Sequence, residues 1–243
     1  MPTITPAISA DIAPTGRLRA SINLGNSVLA QGTTDTPRGV SVDLATELAR
    51  RLGLPVDFRC FTAAQPSFEN VKAGTADIGF LAHEPARAAE VEFTAPYVLI
   101  EGTYMVLNGS PLKVVEDVDK PGIRIAVGKG AAYDLFLTRT LQHATIVRAE
   151  QGGGRGMIDL FFKEKLDVVA GVKQSLQAHA ATDPNVRIMD GRFQVIGQAM
   201  ALPKGRPLAA TYLKSFVEEM KAAGFVADAL KRTGQNATVA PPS

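Results

Sequence analysis

The chain has 243 residues, 46% hydrophobic and 21% charged, and its 26 basic and 24 acidic side chains leave a net charge of +2. Charges so evenly interspersed exclude a nucleic-acid footprint, and apolar runs this short exclude a membrane span. The one cysteine, Cys60, excludes an internal disulfide and argues against a cysteine-based metal site.

Strand-like and helical patterns alternate along the chain. Leu18–Ile22 reads as a strand. Leu44, Ala45, Leu48, Ala49 and Leu52 then recur on one face of a helix over 41–52. Ser41 is the expected N-cap, Arg50 and Arg51 suit the last turn, and Gly53 ends it. A strand over Val56–Phe61 follows, with Cys60 as a small buried hydrophobe within it. A helix over 68–73 and a strand over 77–81 complete a βαβαβ unit.

The alternation then begins again. Strands are predicted over 123–127, 145–147 and 167–172, with helices over 133–141 and 157–163 between them. Extended stretches at 103–107 and 198–202 separate this second unit from the first. The expectation is two α/β lobes, 1–106 plus 200–243 and 107–199, with chain crossings near 103–109 and 198–203. Helices over 208–223 and 225–232 close the chain, and the final Ala-Thr-Val-Ala-Pro-Pro-Ser reads as a frayed tail.

Four stretches taken in order are more specific than any of these patterns. Gly39-Val-Ser-Val-Asp-Leu-Ala to Leu52-Gly53, Ala73-Gly-Thr-Ala-Asp-Ile78 to Phe93-Thr-Ala-Pro-Tyr97, Ile125-Ala-Val-Gly-Lys-Gly130, and Lys165-Leu-Asp-Val-Val-Ala-Gly171 stand at matching spacing. Together they resemble the periplasmic solute-binding proteins of the polar amino-acid ABC-transporter family, over nearly the whole chain. The resemblance implies an α/β, two-lobed periplasmic-binding-protein type II fold with a central ligand cleft. It also implies hinge closure on a small molecule, no cofactor, a monomer, and an ABC permease as partner.

On that resemblance Arg87 corresponds to the arginine that grips an α-carboxylate, a task its planar fork of donors suits. The backbone around Gly130, Ala131 and Ala132 would open a helix and favour an anion. Asn23 and Asn26 fall in the first ligand loop, although Asn-Leu-Gly-Asn is equally good turn chemistry. His83, Glu101 and Gln198 are further candidates, and Lys129 a minor one. The departures matter as much. A hydroxyl residue is usual five positions before the arginine, where this chain has Ala82, and the usual Ser or Thr after the second-lobe glycine is Ala131. The aspartate that usually takes the α-ammonium aligns with Val172, and the stacking aromatic near Ala64 is missing. A carboxylate or other small anion without an α-ammonium is therefore the expected ligand, not an ordinary α-amino acid.

Two alternatives stay open. The same resemblance class includes cyclohexadienyl dehydratase-like enzymes, for which His83 and Glu101 are the available acid–base groups. An intracellular ligand sensor is the other, since the N-terminus lacks a signal-peptide pattern. The chain as written reads as cytoplasmic, and as periplasmic if it is a mature form. His83, His143 and His179 show no metal-ligand spacing. Gln151-Gly-Gly-Gly-Arg155 lacks a phosphate-loop pattern and reads as a flexible loop, with Arg155 a possible anion contact.

Overall fold

The computed structural model describes residues 3–150 and 153–243, which form two compact units. Unit 1 comprises Met1–Phe61, Pro66–Leu99 and Gly197–Ser243; unit 2 comprises Thr62–Gln65 and Ile100–Ile196.

Unit 1 opens with α1 (Pro6–Ile12), which sequence periodicity did not reveal. Thr5 caps it by accepting the Ile8 N–H at 3.3 Å, and proline sits in the first turn, where no amide is needed. Next come β1 (Leu18–Asn23), a small hairpin of β2 (Gln31–Gly32) and β3 (Pro37–Arg38), α2 (Val40–Leu52) and β4 (Val56–Phe61). They are followed by α3 (Ala64–Lys72), β5 (Ile78–Ala82), the short α4 (Pro85–Ala88) and the long β6 (Val91–Leu107). β1 lies between β4 and β5, parallel to both. All five positions of β5 are buried, the continuous apolar run of a central strand covered on both faces.

Two helix starts differ from expectation. α2 is capped at Gly39, not Ser41. Gly39 has φ +118°, and a Cβ there would lie 2.5 Å from the Leu29 carbonyl oxygen, so only glycine fits. Ser41 is buried with its Oγ 3.3 Å from Tyr97 Oη. α3 begins at Ala64, four residues before the predicted start, because Pro66 in its first turn forfeits no helical hydrogen bond. Phe68 and Val71 of α3 and Leu81 of β5 join one core cluster with Ala76, Val91, Phe93, Ala199 and Ala201.

Unit 2 contains the second part of β6, then β7 (Arg124–Gly128), α5 (Ala132–Thr140), β8 (Thr145–Ala149) and α6 (Gly153–Lys163). β9 (Val168–Val172), α7 (Lys173–Ala180) and β10 (Val186–Ile188) complete it. β7 pairs in parallel with β8 and β9, and β9 runs antiparallel to β6 with Gly102 opposite Val172. The predicted glycine-rich loop is partly helical. Residues 153–155 form the first turn of α6, Arg155 is exposed, and Gln151 and Gly152 lie outside the described residues.

The chain returns to unit 1 within β11 (Gln194–Pro203), between Ile196 and Gly197; it had left within β6, between Leu99 and Ile100. β11 pairs antiparallel with β5, bringing Gln198 opposite Ala82. α8 (Pro207–Ala222), α9 (Phe225–Arg232) and β12 (Thr238–Val239) end the fold. The tail is not frayed. β12 pairs with Leu99 and Val98 of β6, the Ala240 N–H donates to Tyr97 O at 3.0 Å, and Lys221 Nζ donates to Pro241 O at 2.8 Å. Free backbone along β6 and two apolar residues are enough to dock a segment whose composition alone reads as loose.

Charge on α2 gives unit 1 an acid-sensitive element. Glu47 accepts hydrogen bonds from Arg50 and Arg51, at 2.7–2.8 Å, and Arg51 continues to Glu219. The Arg50 hydrogen bond, reinforced by Arg51 and only partly opposed by burial, holds the Glu47 carboxyl down at about 2, against the ordinary 4.5. A depressed folded-state pKa contributes stability above pH 4.5 that is lost as pH falls towards 2. Glu47→Gln is therefore expected to lower the melting temperature at pH 6 and to melt like wild type near pH 2. Equal shifts at both pH values would reject the ion-pair origin.

Candidate functional site

The carboxyl ends of parallel strands are where α/β folds place ligands, because loops and helix starts diverge there. In unit 1 that edge carries Asn23, Ala82 and the α4 turn. Arg87 is the last basic residue of α4 and is only 2% exposed. Its guanidinium lies 5.8 Å from the Phe68 ring centroid, and Nη1 donates to the Ala82 carbonyl at 3.4 Å. Burial pushes it down to about 10, and the neighbouring charge of Glu84, itself buried, acts in the opposite direction. Arg87 is thus a cation at neutral pH in surroundings that make its charge costly. Arg87 is not a solvated surface arginine.

The other unit 1 candidates are less committed to a ligand. Asn23 Oδ1 accepts from the Gly25 N–H at 2.9 Å and Asn26 Oδ1 from the Val28 N–H at 3.2 Å, the turn role open from the sequence. His83 is exposed, its ring tilted against Phe93 with centroids 4.9 Å apart, and its backbone N–H donates to Gly197 O at 2.9 Å. Gln198 is buried beside Ala82 in the β5–β11 register.

In unit 2 the edge carries Gly130, Ala131, Ala132 and Val172. Two amide donors just ahead of α5 are engaged. The Gly130 N–H donates to Asp134 Oδ2 at 2.8 Å and the Ala131 N–H to Gly128 O at 3.1 Å, so the protein's own carboxylate takes the expected anion position. Asp134 is buried and also accepts from Arg148 Nε at 3.0 Å. Gly130 has φ +68°, and a Cβ there would lie 2.5 Å from Gln65 Oε1, another unit 2 residue. Ala132 is buried at the start of α5. Lys129 is exposed and pairs with Glu150.

Val172 is the most informative position. It is 8% exposed and serves as the N-cap of α7 without a side-chain hydrogen bond. The register that sets it opposite Gly102 also brings Glu101 to Lys173, whose Nζ donates to Glu101 Oε2 at 2.8 Å. Arg192 Nη1 donates to the other oxygen. Those two hydrogen bonds, Lys173 first, hold the Glu101 carboxyl below its ordinary range. Glu101 is therefore a carboxylate held by two cations, which weakens it as a proton acceptor. Lys173 and Arg192 were missed from the sequence, since neither sits in a recognised motif: the β6–β9 register brings Lys173 to Glu101, and the bond from the Phe193 N–H to Gly102 O brings Arg192 there.

Among the described residues, no group of three or more His, Cys, Asp or Glu side chains is gathered as a metal site. No helix among them is long and apolar enough to cross a membrane.

Two α/β units joined by two strand crossings, each with candidate residues at a strand carboxyl edge, define a solute-binding protein of the periplasmic-binding-protein type II class. The sequence profile of the bacterial extracellular solute-binding proteins, family 3, matches residues 28–235. The chain belongs to that family. Its fold is similar to that of the solute receptor for L-cysteine of Neisseria gonorrhoeae, with a TM-score of 0.79 at 22% identity, covering 93% of this chain and 92% of that one. The cysteine-binding protein from Campylobacter jejuni gives a TM-score of 0.79 at 19% identity, with coverage of 93% and 92%. An amino-acid ABC transporter substrate-binding protein from Streptococcus pneumoniae, bound to L-arginine, gives 0.76 at 18% identity, with coverage of 93% and 99%. No curated protein matches the chain in sequence.

Proposed function

We propose that this protein captures a small monocarboxylate lacking an α-ammonium group and delivers it to an ABC permease. One observation carries this reading: where an ammonium-binding acid would stand, unit 2 has the apolar Val172, and the carboxylate nearest in register, Glu101, is already held by Lys173 and Arg192. Of these three charged groups two are cations, so the cluster favours an anion. In unit 1, Arg87 would supply charge-assisted hydrogen bonds to the carboxylate. Glu84 shares that environment and weakens the field felt by a second negative charge, which favours a monoanion over a dianion.

The amino-acid ligands named for the similar structures differ from this class, and identities of 22% or less leave room for that change. The dehydratase-like reading gains no support from the site, because Glu101 is held by Lys173 and Arg192 and the His83 ring lies against Phe93.

A thermal-shift comparison of short monocarboxylates, 2-oxo acids and L-amino acids tests the reading. A monocarboxylate or 2-oxo acid is expected to stabilise the protein, and Arg87→Ala to weaken its binding by about tenfold or more. Stabilisation by L-amino acids alone would overturn it.

A further inference from the structure

Unit 2 has a second recess, at the amino ends of its parallel strands, the edge opposite Gly130 and Val172. Ile123 and Asp167, which immediately precede β7 and β9, line a cavity of about 640 Å³ together with Leu112, Phe161, Phe162 and Leu166. That volume suits a small organic molecule. The walls are predominantly apolar and open to solvent, with Phe162 40% exposed and the neighbouring Leu107 44% exposed. Phe161 and Phe162 meet edge to face, ring centroids 5.0 Å apart.

The charges at this recess do not cancel. Asp167 accepts from the Arg124 N–H at 2.8 Å and lies 3.6 Å from its guanidinium. Lys165, also in the lining, has an ammonium that makes no ion pair or hydrogen bond among the described residues. Its backbone is equally unusual. Lys165 stands two residues past α6, its N–H donating to Phe162 O at 3.3 Å while the Leu166 N–H donates to Phe161 O at 2.9 Å. This is the position where helices favour glycine, yet Lys165 holds φ +49°, the only non-glycine with positive φ among the described residues. The helix dipole favours a cation in the last turn, but Lys163 already supplies one there without strain. Strained residues concentrate where a side chain is needed at that place.

We propose that this recess is a second ligand site, for a small amphipathic monoanion. An aryl or short acyl body would lie against Phe161, Phe162 and Leu112, with its carboxylate at Lys165. The site is independent of Arg87.

Titration of the full chain with 4-phenylbutanoate, followed by calorimetry and by amide NMR shifts, tests this. Saturable shifts are expected at residues 107–112, 123 and 161–167, and the affinity is read from those residues, apart from any binding at Arg87. Lys165→Gly removes the ammonium while relieving the left-handed strain, so it folds, and it is expected to weaken binding about tenfold. Neutral 4-phenylbutanamide should bind wild type about as weakly as the acid binds that variant. Lys163→Ala and Arg87→Ala should leave the affinity unchanged. Absence of saturable shifts in that region, wild-type affinity in Lys165→Gly, or loss of binding in Arg87→Ala would each overturn the assignment.

Discussion

Val172→Asp is expected to create L-amino-acid binding where the wild type has little, with a gain of about a hundredfold in affinity. The magnitude follows from burial: an ammonium taken from water without a counter-charge is penalised by roughly 3–5 kcal/mol, which is two decades or more in affinity. Val172 is 8% exposed, so a carboxylate placed there acts at short range and with little screening. Local structure favours the change as well. Val172 is the N-cap of α7 and offers no side-chain acceptor, whereas Asp is among the preferred caps and is worth about 1 kcal/mol. One carboxylate oxygen can accept from the helix start while the other receives the ligand. The opposing factor is Lys173, one residue on; it is already committed to Glu101 at 2.8 Å, which limits competition for a new acid.

The control is Val172→Asn, which caps the helix without adding charge. Calorimetric titration with L-amino acids should find tight binding in Val172→Asp and weak binding in both wild type and Val172→Asn. Equal affinities in all three would mean that the ammonium of the solute is recognised elsewhere, and the proposed specificity would fail. A gain in both variants would trace the effect to helix capping.

Most of the fold was legible because its signals are local. The apolar stripe of α2, its glycine stop and the buried runs of β5 and β9 follow from spacing alone. What escaped depends on partners distant in sequence. α1 is short and is fixed by its contact with α8, where Asp11 accepts the Ala209 N–H at 2.8 Å. α7 was missed because Val172 supplies no capping side chain to announce a helix. β12 exists only because β6 presents an edge to it.

The candidate site divides the same way. Arg87 could be singled out from its place after a strand, but its burial against Phe68 and the influence of Glu84 could not. Gly130 and Ala131 were read as anion donors because a helix start was predicted there. Asp134, three residues into that helix, answers the same demand from within the chain. The Glu101, Lys173 and Arg192 cluster spans 91 residues and is invisible to any local pattern.

A buried ion-pair network in unit 1 gives the largest stability effect expected here. Asp77, whose side chain is fully buried, accepts from the Arg19 N–H at 2.9 Å and from its guanidinium at 2.6 and 3.0 Å. Arg206 adds a hydrogen bond at 3.1 Å and also donates to the Ile12 carbonyl. One carboxylate therefore ties together the end of α1, β1, the start of β5 and the entry to α8. Asp77→Ala would leave two arginines, with side chains 19% and 17% exposed, facing a vacated apolar site. Breaking a buried pair from one side typically costs about 3–5 kcal/mol. Partial solvation of both arginines puts the expectation near ~3 kcal/mol, measured by denaturant unfolding. Arg17 and Asp57 form the matched comparison, with an equally short bidentate geometry of 2.6 and 2.7 Å but with both partners at the surface. Exposed pairs contribute little because water and salt screen them. Asp57→Ala should therefore move the unfolding midpoint far less than Asp77→Ala. Comparable losses in the two variants would show that hydrogen-bond geometry, and not burial, sets the worth of these pairs.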